Sequence, residues 1–119
     1  MTLLCLPLLL AACASQRAPA EAAKCDLTVT FGSYAAGTDG KVEQEIAAYL
    51  RETPAVSIRS RTNWGREGEH TWCLGATSPK AARAAFQAIR AIIPAVSSQA
   101  WTEVKLADGE TFRTDWPRP

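Results

Sequence analysis

Histidine is nearly missing from this sequence: its 119 residues hold one, His70. A structural metal site needs four ligands at ordered spacing, and His70 with Cys73 three residues further on does not supply them. No metal or other cofactor is therefore expected. A nucleophile elbow, a paired-carboxylate motif and a metalloprotease signature are also missing. Ser57 and Ser60 stand in no context that would mark a nucleophile. An enzyme reading is left with His70 alone, whose neighbour Glu69 points the other way on a strand, so the expectation is a protein that is not an enzyme. Excess charge is lacking too. Thirteen Lys and Arg against 12 Asp and Glu leave a formal charge of +1, which argues against nucleic acid as a partner and against a polybasic membrane patch. The longest apolar run, residues 3–12, is well short of the roughly 20 residues that span a bilayer. What is present, 47% apolar and 21% charged residues, suits one folded domain with a modest two-layer core.

Beyond the apolar run, residues 14–24 contain no large apolar side chain and read as a linker with a reach of about 18 Å. From Cys25 the pattern changes. Leu27, Val29 and Phe31 alternate with Asp26, Thr28 and Thr30, the signature of a half-buried strand. A glycine-rich connection runs from Gly32 to Gly40. With Thr38 or Asp39 as N-cap, Val42, Ile46, Tyr49 and Leu50 then recur at helical spacing until Pro54. Val56 and Ile58 alternate with Ser57, Arg59 and Arg61 in a second strand. A polar turn over residues 63–68 leads to a third strand, over 70–76. Ser78-Pro79 starts a second helix whose buried stripe is Ala82, Phe86, Ile89 and Ile93, ended by Pro94. Residues 101–106 form a fourth strand. Asp108-Gly109 reads as a two-residue hairpin turn, with a fifth strand over 110–114.

Leu10-Ala11-Ala12-Cys13 resembles the lipobox of bacterial lipoprotein precursors: a Leu, two small residues and a Cys that receives lipid before cleavage. The resemblance implies a signal peptide over 1–12, a lipidated Cys13 with a flexible linker over 13–24, and a small α+β domain over 25–119. It further implies a cell-envelope location facing the periplasm. Ala14, where an Asp tends to retain lipoproteins in the inner membrane, points to the outer membrane. No Lys or Arg precedes Arg17, where such leaders carry one, so the true start is expected a few residues upstream. In the oxidising compartment that the resemblance implies, Cys25 and Cys73 are expected to pair as a disulfide, with two separate buried thiols as the alternative. Their parities conflict: either Cys25 lies just before the regular strand, or Trp72 faces the open side of the sheet.

The order β-α-β-β-α-β with a terminal hairpin strand resembles the ferredoxin-like split βαβ arrangement, a two-layer sandwich. That fold hosts many functions and assigns none. Arg59, Arg61 and Trp101, with Glu103 and Lys105, are expected on the sheet face opposite the helices, where Arg and Trp could bind a partner. Trp64 and Trp116 are further exposed candidates. Loop 32–40 offers backbone amides for an anion but fails the P-loop pattern, since Thr38 stands where Lys belongs and Asp39 adds negative charge. The leading expectation is a membrane-anchored, non-catalytic interaction domain that meets an envelope protein or glycan. The alternative is a small-ligand-binding domain using the loop or the Arg59/Arg61 face.

Overall fold

Strand β1 (Leu27–Ser33) forms on the alternation of apolar and hydroxylated residues, and Leu27, Val29 and Phe31 are fully buried. The computed structural model describes residues 24–119; the expected signal peptide, Cys13 and the expected linker up to residue 23 lie outside the described residues. Helix α1 (Gly40–Arg51) follows, then β2 (Val56–Asn63), β3 (His70–Ala76), α2 (Pro79–Ile92), β4 (Ala100–Leu106) and β5 (Thr111–Arg113). The architecture is α+β: two helices and one antiparallel sheet of five strands in the order β2-β3-β1-β4-β5.

Each helix begins where its capping residue dictates. Of the two candidates ahead of α1, Asp39 is the cap: its carboxylate accepts the Val42 N–H at 3.1 Å. Ser78 does the same for α2, accepting from Ala81 at 3.0 Å, with Pro79 in the first turn, where no N–H is missed. Val42, Ile46 and Leu50 of α1 and Ala82, Ala85, Phe86 and Ile89 of α2 share one core with Leu27, Val29, Phe31, Trp72, Leu74, Val104 and Leu106 of the sheet. Both helices therefore cover the same face. The opposite face carries Thr28, Thr30, Thr71, Glu103 and Lys105, and it is open.

Two local irregularities decide what stands on that open face. The first is a bulge in β2: Ile58 pairs with Leu74 and Ser60 with Cys73, leaving Arg59 as an extra residue. Beyond the bulge the parity reverses, so Ser60 and Thr62 face the open side and Arg61 faces the helices. The second is the β4–β5 connection. Glu103 pairs with Arg113, Val104 with Phe112 and Lys105 with Thr111, so the loop is three residues, 107–109, with Gly109 at φ +101°. The two-residue turn read from Asp108-Gly109 would have set Arg113 opposite Val104, among the core-facing residues. One residue more in the loop turns Arg113 to the open face and Phe112 to the core.

Cys25 and Cys73 form a disulfide with Cα atoms 5.1 Å apart. The parity conflict resolves in favour of its first option. Cys25 precedes the regular strand and reaches over the open face to Cys73, while Trp72, 4% exposed, lies in the core. Closing a separation of 48 residues stabilises the fold by about 4 kcal/mol on loop-closure entropy. The double substitution Cys25→Ser/Cys73→Ser should lower the unfolding free energy by about that amount in urea titration. An unchanged midpoint would show that the loop costs little to close.

Candidate functional site

The open face carries its aromatic groups, with the guanidinium of Arg113, at the end of the sheet where β1 and β2 finish. Trp101 lies flat on Gly32, its cross-strand partner, so closely that a Cβ on Gly32 would run into the indole. The guanidinium of Arg113 stacks on Trp101, 3.8 Å from the ring centroid. Trp64, 41% exposed, stands beside it with ring centroids 6.2 Å apart, and its indole N–H donates to Thr71 Oγ1 at 3.1 Å. Thr71 Oγ1 in turn lies 3.3 Å from Thr30 Oγ1, so the hydroxyls of two strands fix the indole.

The turn that carries Trp64 is built around a buried carboxylate. Glu69 is 9% exposed; its Oε2 accepts the Glu67 N–H at 2.8 Å, and its carboxylate fills the space over Gly65. Gly65 at φ +72° and Gly68 at φ +86° supply the left-handed conformations the turn needs. The Glu69 carbonyl closes the turn by accepting from Trp64 N–H at 2.9 Å. Glu69 thus positions Trp64.

The structure separates the residues singled out from the sequence. Arg59 does stand on the open face, but at the opposite, disulfide end. There it covers Gly75, pairs with Asp26 at 3.4 Å and donates to the Lys24 carbonyl at 2.7 Å. Arg61 does not join it: the bulge turns Arg61 to the helix side, where its guanidinium lies 5.4 Å from the Trp72 ring centroid. Trp101 is therefore joined by Arg113 and Trp64 rather than by Arg59 and Arg61. Lys24 is the first described residue, and the ties to Arg59 and Cys73 fix the chain's entry on the open face.

His70 faces the helix side. It stacks on Phe31 with centroids 4.7 Å apart, and its Nδ1 donates to the Gly68 carbonyl at 2.7 Å. Its Nε2 lies 2.7 Å from Glu43 Oε1 on α1. Both ring nitrogens are engaged, and the ring ties α1 to β3. Beside it, Glu43, Gln44, Arg61, Asn63 and Trp72 line an open cleft of about 490 Å³. No group of three or more His, Cys, Asp and Glu side chains among the described residues is placed to hold a metal ion.

The loop over residues 32–40 closes on itself. Ser33 Oγ accepts the N–H groups of both Ala35 and Gly37 at 2.9 Å, and Asp39 is committed to capping α1. The amides of Tyr34, Ala35 and Gly37 thus already have an acceptor. Tyr34 leaves this loop to meet Trp116 edge to face, centroids 4.9 Å apart, and donates to the Thr114 carbonyl at 3.3 Å.

No protein-family model matches the chain, and searches of curated proteins and of solved structures returned no match.

The Gly32–Trp101–Arg113 stack is open to a direct test. Gly32→Ala should displace the indole, altering the near-ultraviolet circular dichroism and lowering stability by about 1–3 kcal/mol. Gly40→Ala, at a position with open space around it, should leave the spectrum as it is. Equal spectra for the two variants would mean that Trp101 is not held against Gly32.

Proposed function

We propose that this chain is a bacterial lipoprotein precursor whose mature part is a membrane-tethered, non-catalytic interaction domain working through its open sheet face. The carrying observation is the cluster of Trp101, Arg113 and Trp64, on a face that no part of the described chain covers at that end. Aromatic and Arg side chains held in place without apolar burial are the usual anchors of recognition surfaces. Among the described residues no helix is long and apolar enough to cross a membrane, and attachment in this reading comes from lipid on Cys13.

The fold reading within this proposal is the ferredoxin-like split βαβ sandwich. Its support is the interleaving of two units: β1-α1-β2 encloses β3 in the sheet, and β3-α2-β4 encloses β1. An outer-membrane address follows from Ala14 after the lipidated Cys. The small-ligand alternative is carried by the cleft beside Arg61, whose guanidinium makes no ion pair among the described residues.

Expression of the full chain in a bacterial host with labelled palmitate tests the anchor. Label should enter the wild-type protein and not Cys13→Ser, and mature protein should begin at Cys13. A mature chain retaining residues upstream of Cys13 would contradict the reading. For the surface, a photo-cross-linker at Thr62 on the open face should give a specific adduct in the envelope, whereas one at Lys80 on α2 should not. Equal labelling from both positions would remove the open face from its role.

A further inference from the structure

The guanidinium of Arg113 is held and unspent. It stacks on an indole that itself rests on backbone, which restricts the side chain while leaving the N–H donors on its edge free. Arg59, Arg83 and Arg118 have carboxylate partners; Arg113, like Arg51, Arg61, Arg66 and Arg90, has none among the described residues, even though Glu103 is its cross-strand neighbour. A planar donor fork fixed this way is suited to a carboxylate from outside.

The surroundings narrow the ligand further. Trp101, on which the fork stacks, has the exposed indole of Trp64 on its other flank, 6.2 Å between ring centroids. Beside that indole the sheet presents the hydroxyls of Thr62 and of Thr30 and Thr71, the latter two already bonded to each other and Thr71 to the indole N–H. The described strands place no aliphatic side chain on this face. A bilayer or an apolar protein patch would find little to bury against it. A sugar ring, by contrast, has an apolar C–H face for an indole and hydroxyls for the threonines.

Building on the interaction surface of the preceding section, we propose that this end of the open face binds a carboxylate-bearing glycan. Arg113 takes the carboxylate through its fork, Trp64 stacks against a ring, and the hydroxyl row exchanges hydrogen bonds with the sugar.

Two probes that differ by the carboxylate test this with the purified full-length chain in detergent. One is a peptide-free strand of alternating N-acetylglucosamine and N-acetylmuramic acid, with free lactyl carboxylates. The other is a chitin oligomer of equal length, the same backbone without them. Calorimetry should show the acidic strand binding at least about tenfold more tightly, the scale of a charge-assisted pair. Arg113→Gln should erase that difference and leave the weaker chitin binding in place. Arg113→Lys should recover only part of it, having charge but no fork. Trp64→Ala should weaken both probes. Equal affinity for the two glycans, or an unaltered preference in Arg113→Gln, overturns the assignment. So does binding to phosphatidylethanolamine–phosphatidylglycerol vesicles and to neither glycan. If neither glycan binds while the cross-linker at Thr62 still gives its specific adduct, the glycan falls and the interaction surface stands. If both fail, the surface falls as well.

Discussion

Strand β1 hydrogen-bonds on both sides, to β3 and to β4, and its strict alternation sorts the residues of the neighbouring strands into two populations. Opposite Leu27, Val29 and Phe31 stand Leu74, Trp72 and His70 on one side and Leu106, Val104 and Thr102 on the other. These receive the helices. Opposite Thr28, Thr30 and Gly32 stand Cys73, Thr71, Lys105, Glu103 and Trp101, and these form the open face. A slip of one residue would bury threonines and expose a phenylalanine. The disulfide, the indole stack and the entry of the chain all depend on this register.

Much of this was legible in the sequence. Wherever apolar residues persist, as in β1, β3 and β4, their parity identifies the buried face, and Asp39 and Ser78-Pro79 mark the helix starts. The signal fails where apolar residues run out. After Ile58, β2 continues as Arg59, Ser60, Arg61, Thr62 and Asn63, with nothing apolar to register against, so a bulge at Arg59 leaves no trace in the pattern. The hairpin fails differently. Asp-Gly fits both a two-residue turn and the end of a three-residue loop, and Phe112 is a lone apolar residue in a very short strand. Arg113 was hidden by that one-residue ambiguity, and the positioning role of Glu69 by lying inside a turn whose shape only the folded chain supplies.

The two ends of the open face divide the labour in the proposed account. At one end Cys25, Asp26, Arg59 and Cys73 fasten the chain as it enters the domain. At the other, Gly32, Trp101, Arg113 and Trp64 assemble a rigid aromatic and cationic platform. The proposed recognition groups thus sit at the end of the face away from the point where the described chain begins. On the helix side Arg61 lies against the core tryptophan, Arg90 stacks on Phe112, and His70 holds α1.

Four tryptophans at three different sites make this account measurable without altering the protein. Trp64 and Trp101 lie on the open platform, Trp72 in the core beside the Arg61 cleft, and Trp116 against Tyr34. The most direct measurement is the set of indole N–H signals of the full-length chain in detergent, followed by NMR as solubilised envelope glycan is added. The account predicts shifts at Trp64 and Trp101 with Trp72 unmoved. Shifts at Trp72 with the platform pair silent would contradict it and move the working surface to the cleft between α1 and β2.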